Sequence, residues 1–350
     1  MNLKKELEFY GIKNYKINDN QVVDVDGDVY LYEEDLTNIP FTFGVVTGTF
    51  NCSLNNITSL KGSPIVVGKD FVCHGNKLTD LKGGPEQVYG NYVCSSNKLV
   101  DLKGAPEEIQ GDFDCGSNRL PDLKHAPKKV GGTFDCSFNK LNSLKGCPEF
   151  IGGDLDCTYN NLDSLKHTPS KIGGSLICSN CNLTTLVGGP TWVGKNYNCS
   201  RNALKSLEGS PEYVGKNFNC KYNSLNSLEH SPKKVEGSFN CDYNTISSLK
   251  GCPETIGKSF KCSYNKLTSL HGSPNEVGRN FYCEYNNITS LEGSPKKVGK
   301  DFSCNRNKLV TLKGAPEQVN GWFICENQQG NYFTKKDVRD VTSVNGRIVI

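Results

Sequence analysis

The 350-residue sequence carries 40 Lys plus Arg against 37 Asp plus Glu, a formal net charge of +3, with 36% hydrophobic and 22% charged residues. That balance is too even for the field of a bulk polyanion binder, and no apolar run approaches the roughly 18 residues of a membrane-spanning helix. Seventeen cysteines, an odd number in a long chain whose first residues (MNLKKELEFYGIK) lack an export signal, read as reduced thiols of a soluble, cytoplasmic protein and not as a disulfide scaffold.

Residues 2–10 (NLKKELEFY) have the composition of a short helix, and Val23, Val25, Val29 and Leu31 around Asp26-Gly27 suggest a hairpin, so residues 1–28 read as an N-terminal cap. Beyond them the pattern is periodic. Fourteen cysteines from Cys52 to Cys325 follow one another at an interval of 21 residues without insertion. A fixed period of this length means stacked turns of one elongated solenoid, not independent domains.

The repeating unit is clean in Phe260, Cys262, Asn265, Leu267, Leu270, Gly272, Pro274, Val277 and Gly278. Its Phe-x-Cys alternation is the period-2 signature of a short strand with one buried face, so each turn is expected to add one strand to a parallel sheet. The return path through Pro and Gly is too short for an α-helix and should be turns, extended segments or a little 3₁₀, leaving a helix-poor convex side. Val29, Leu31, Leu36, Ile39 and Val46 occupy the same positions one period before the first cysteine, which extends the array over residues 29–328. An Asn three residues after the Cys, as at Asn76, Asn97 and Asn118, would have to be hydrogen-bonded if buried and suits a ladder that satisfies backbone groups. Residues 329–350 form the closing cap, with Thr334 as N-cap of a short helix to Val341 and a last strand at Arg347–Ile350.

The unit resembles the leucine-rich repeat, with Phe and Cys in the two strand positions of the pattern Leu-x-Leu-x-x-Asn/Cys-x-Leu. The 21-residue length and Pro-bearing return path resemble the short bacterial class, and the N-terminal Val-Asp-Gly-Asp-Val segment resembles repeat proteins encoded by bacteriophages and some bacteria. The resemblance implies a right-handed array that binds through its strand-bearing face. Some relatives of that class carry a ubiquitin-ligase domain after the array; about 25 residues follow Cys325 and none is Cys, so that activity does not transfer.

The repeated cysteines fall on inward strand positions and read as small buried hydrophobes. Cys178 and Cys181 make the one C-x-x-C, but Cys181 stands where the Asn belongs and no second pair completes a zinc site. Cys147 and Cys252 fill the small-residue position before Pro, and His125, His167 and His230 replace the Gly two residues before it. No catalytic, metal or cofactor pattern appears, so an enzyme is not expected. Charges after the Pro alternate between turns, Glu107-Glu108 then Lys128-Lys129, and can pair along the convex edge.

Recognition is expected on the outward strand positions. Two residues after successive cysteines stand Phe138, Tyr159, Asn180, Arg201, Tyr222, Tyr243, Tyr264, Tyr285 and Arg306, an aromatic row with Arg at two of its breaks. The neighbouring position is acidic at Asp114, Asp135 and Asp156, with Asp112 and Asp154 beside them, and later Lys261 and Tyr282. Tyr and Arg are common interface anchors, although a Tyr ladder can equally serve to stabilise a sheet. The reading is a non-catalytic scaffold for a protein partner. The alternative is a structural component of a phage particle or other assembly. A glycan could stack on the aromatics, self-association through the caps stays open, and nucleic acid is disfavoured because the Asp row would repel phosphates. Trp192 marks a second contact point.

Overall fold

The computed structural model describes residues 3–330 and 332–350. Positions 1 and 2, where the N-terminal cap and its helix were expected to begin, and position 331 in the closing cap lie outside them. The chain divides into two compact units, Met1–Gly174 and Ser175–Ile350.

The first unit opens with helix α1 (Leu3–Phe9), which buries Leu7, and two antiparallel strands, β1 (Tyr15–Ile17) and β2 (Val22–Val25). The hairpin expected around Asp26-Gly27 does not form. Instead β2 pairs in parallel with Thr42–Val46, while Val29–Tyr30 pairs in parallel with Phe50–Asn51. The physical reason is spacing: Val25 and Val29 are as far apart as Val46 and Phe50, so the Asp-Gly corner repeats the corner of the next turn. The Gly48 N–H accordingly donates to the Gly27 carbonyl at 2.9 Å.

Every later turn in both units repeats this plan with two short strands. The Phe-x strand pairs in parallel and in register with its copies, Phe113 opposite Phe134 in the first unit and Phe260 opposite Phe281 in the second. The segment ending in the Val forms a second parallel ladder on the return path, Val130 opposite Ile151 and Val277 opposite Val298. Phe, Cys, both Leu and Val of each turn are buried, and Phe260, Cys262, Leu267 and Leu270 are completely so. Phe rings stack turn on turn, with centroids 5.5 Å apart for Phe281 and Phe302.

Two polar ladders satisfy the backbone between these strands. Asn118 is 8% exposed; its Oδ1 accepts from the Leu99 N–H at 3.0 Å and its Nδ2 donates to the carbonyls of Cys94 and Cys115, both at 3.1 Å. One amide thus ties two turns together. At Cys181, which stands in place of the Asn, the thiol donates to the Ser179 carbonyl at 3.4 Å. The second ladder stands just before the Phe: Asp70 accepts from the Asn91 N–H, Asn91 from Asp112 and Asp112 from Thr133, at 2.6–2.7 Å. Buried thiols add weak donors, Cys115 Sγ to the Asp135 carbonyl at 3.2 Å, and burial pushes the Cys115 thiol well above its ordinary pKa. Such thiols are poor nucleophiles.

The irregular positions also have local causes. His125, His167 and His230 hold φ of 62°, 73° and 66°, the left-handed conformation that Gly adopts at this corner elsewhere. His125 Nδ1 lies 2.7 Å from Asp101 Oδ1. Tyr92 replaces the core Phe, and its turn alone in the first unit has Gly before the Pro, at Gly84; a Cβ there would stand 3.0 Å from the Tyr92 hydroxyl. Tyr197 and Gly189 repeat the pair in the second unit's sequence. Along the return path, Lys128–Glu107, Lys129–Glu108 and Lys233–Glu212 pair between neighbouring turns at 3.1, 2.9 and 2.9 Å, as the alternation predicts. Helix α2 (Lys335–Arg339) closes the second unit, with Thr334 as its N-cap in a capping box with Asp337. Phe323 then pairs with Ile348, completing a last, lengthened turn.

Candidate functional site

The sequence reading places the aromatic row on the strand. The structure puts it one step beyond, where the chain turns out of the strand towards the first Leu. Tyr222, Tyr243, Tyr264 and Tyr285 have φ of 53–56°, as do most of their equivalents, Ser117 and Arg306 included. Left-handed backbone costs a non-glycine residue roughly 1–2 kcal/mol, so the surroundings must enforce it. They do so with hydrogen bonds on both sides. The Tyr243 N–H donates to the Ser263 carbonyl at 3.1 Å, and the next side chain, Asn244, binds the carbonyls of Cys241 and Asp242 at 3.1 and 3.3 Å.

This fixed turn stacks the side chains. In the second unit the ring centroids of Tyr222 and Tyr243 are 4.4 Å apart, those of Tyr243 and Tyr264 4.2 Å, and those of Tyr264 and Tyr285 4.2 Å, with interplanar angles of 9–17°. The Arg201 guanidinium lies 4.6 Å from the Tyr222 centroid at one end, and Arg306 5.2 Å from Tyr285 at the other. Four rings and two cations therefore form one column. The four tyrosines are 36–40% exposed although each ring is stacked between neighbouring rings or a ring and a guanidinium. Hydrogen bonding with Tyr285, then burial and Tyr243, raises the Tyr264 phenol above its ordinary pKa.

Beside the column lies a concavity of about 530 Å³, lined by Asp242, Ser263, Tyr282, Glu284, Arg306 and Glu326 among others. Ser263 joins two carboxylates: its N–H donates to Asp242 at 2.7 Å and its hydroxyl to Glu284. Burial, only partly offset by the Ser263 N–H and Lys261, raises the Asp242 carboxyl to about 6. Lys261 Nζ is 5.6 Å from the Tyr282 ring centroid. Burial and then Asp301 and Glu284 raise the Tyr282 phenol. The residues directly after the Cys thus form a row of their own.

The first unit holds the remaining predicted residues. Phe138 and Tyr159 stack at 4.5 Å and are 54% and 50% exposed. Asp114, Asp135 and Asp156 stand in register on adjacent strands. Each accepts a backbone N–H two residues on, from Gly116, Ser137 and Thr158 at 2.9, 2.8 and 2.9 Å. The Asn residues at this position do the same, as Asn240 does with Asp242 at 3.0 Å. The recurrence of Asp and Asn is therefore explained by capping of the outgoing turn, a signal that was visible in the sequence. Burial, ahead of repulsion from Asp135, raises the Asp114 and Asp156 carboxyls. Trp192 stacks on Tyr213 of the next turn in the return-path ladder at 5.8 Å. Among the described residues no group of three or more His, Cys, Asp or Glu could hold a metal ion, and no helix is long and apolar enough to cross a membrane.

No family model matches the sequence, and no curated protein is similar to it. Among solved structures the chain is similar to YopM, a leucine-rich effector protein from Yersinia pestis, at 18% identity over 86% of this chain and 88% of that one, with a TM-score of 0.51. It is also similar to a leucine-rich repeat protein from Bacteroides eggerthii, at 15% identity over 85% of this chain and 62% of that one, with a TM-score of 0.53. These likenesses show the fold: a leucine-rich-repeat solenoid of parallel strands with very little helix.

Proposed function

We propose that the chain is a non-catalytic scaffold that binds a protein partner through the tyrosine column and adjoining concavity of the Ser175–Ile350 unit. One observation carries this reading, the occupied ring faces. Sugars and bases are held by aromatic side chains chiefly through open faces. A column with centroids 4.2–4.4 Å apart and guanidinium groups at both ends has no free face and no room for insertion. It offers a rigid strip of ring edges, phenol hydroxyls and Arg, the groups that anchor protein interfaces. The likeness of the fold to leucine-rich repeat proteins supports an interaction role over an enzymatic one.

The test replaces Tyr222, Tyr243, Tyr264 and Tyr285 by Ser together. Ser is compatible with the left-handed turn, since Ser96 and Ser117 adopt it at equivalent positions with φ of 55° and 54°. Affinity capture from native host lysate with the wild-type chain and this variant should show a protein recovered by the former and lost with the latter. Equal recovery with a folded variant refutes the column as the site. Capture of assembled particles by both chains would favour a structural role in an assembly.

A further inference from the structure

The concavity beside the column has a periodicity of its own, and this inference rests on the protein-binding reading above. From Asp242 onward the residue after the Cys is Asp242, Ser263, Glu284, Asn305 and Glu326, an acid at every second turn. With strands about 4.8 Å apart the carboxylates repeat at roughly 9.6 Å. Ser263 links the first two, and Asn305 Oδ1 accepts from the Glu326 N–H at 2.7 Å, which holds the row in place.

All three acids are half-buried, and among the described residues none makes a direct salt bridge, in contrast to the paired acids of the return path; Lys261 and Lys221 act on Asp242 through space only. The cations nearby are turned to the rings: Arg306 lies over Tyr285, and Lys261 and Lys221 lie 5.6 Å from the Tyr282 and Tyr222 centroids. Tyr264, Tyr282 and Tyr285 line the same concavity as the acids.

We propose that this concavity takes an extended, polyproline-II segment of the partner protein, with Lys or Arg at every third residue. A polyproline-II helix has three residues per turn and a rise of about 3.1 Å, so residues i, i+3 and i+6 share a face at roughly 9.3 Å, close to the carboxylate repeat. A β-strand does not match, because i and i+3 point to opposite faces. The polyproline-II backbone makes no internal hydrogen bonds, which leaves its carbonyls free to accept from phenol hydroxyls. Aromatic-lined grooves suit this preformed, low-entropy conformation.

The experiment titrates the full chain with labelled peptides and reads binding by fluorescence anisotropy. One peptide repeats Lys-Pro-Pro, a second repeats Lys-Pro-Pro-Pro, and a third repeats Glu-Pro-Pro. The first should bind at least about tenfold more tightly than the second, and the third should not bind. Glu284→Gln with Glu326→Gln, which preserves shape and hydrogen-bonding capacity, should weaken the first by about tenfold or more and leave the second little changed. Equal binding of the two Lys peptides, no loss in the double variant, or no binding of the first peptide overturns the proposal. Tyrosine-dependent capture of a host protein alongside any of those results would leave the scaffold reading standing and remove only this partner chemistry.

Discussion

Tyr92 and Gly84 provide a quantitative test of how the turns are packed. The Tyr92 hydroxyl is fully buried at the Phe position of its turn and has no hydrogen-bond partner. Burial accordingly raises its pKa well above that of a free phenol. An unpaired buried hydroxyl costs about 1–3 kcal/mol. Tyr92→Phe removes that cost and leaves a void on the order of 15 Å³, which at about 24 cal/mol per Å³ returns only ~0.4 kcal/mol. The substitution should therefore stabilise the protein by about 1 kcal/mol. Gly84 is the complement: an added Cβ would lie 3.0 Å from the Tyr92 hydroxyl, the Leu60 side chain and the Leu81 carbonyl. Gly84→Ala should destabilise the wild-type chain by about 1–3 kcal/mol through overpacking. In the Tyr92→Phe background, where the hydroxyl is gone, its cost should fall by about 1 kcal/mol. Urea denaturation of the four chains, followed by circular dichroism, measures the coupling. A Tyr92→Phe protein less stable than wild type, or additive effects of the two changes, would refute the account of a hydroxyl filling space left by the glycine.

Asn118→Ala should destabilise by about 2–5 kcal/mol in the same assay, since it removes the acceptor of the Leu99 and Asn97 N–H groups and the donor to the Cys94, Cys115 and Gly116 carbonyls. A loss below about 0.5 kcal/mol would mean that these groups find other partners. Asp242 supplies a pH dependence. Its folded pKa of about 6 exceeds the unfolded value of 3.8, so its stability contribution is fully present below about pH 3.8 and is lost as the pH rises through about 6. Asp242→Asn should therefore gain on wild type by roughly 1–3 kcal/mol between pH 4 and pH 7, read from paired urea melts. A stability difference that does not change over this range would place the Asp242 carboxyl in a more solvated setting.

The 21-residue spacing of cysteines determined the solenoid by itself, because only one stacked geometry returns the same five apolar residues to the core at each interval. Thr334 and its helix were equally legible, since an N-cap is a local hydrogen bond. The Asp26-Gly27 hairpin was misread because Asp-Gly serves equally in a hairpin or a corner, and only parallel pairing with the following turn decides between them. The sequence also named the tyrosines, but not their environment. Their row and its Arg breaks are a one-dimensional pattern, whereas the left-handed backbone, the 4.2 Å stacking and the closed ring faces arise only when the Asn ladder locks each turn onto the next. For the same reason, Asp114, Asp135 and Asp156 read as an acidic patch until the fold shows each carboxylate bound to a backbone N–H. Period and residue type are properties of the chain; which groups remain free to meet a partner is settled by hydrogen bonds between turns.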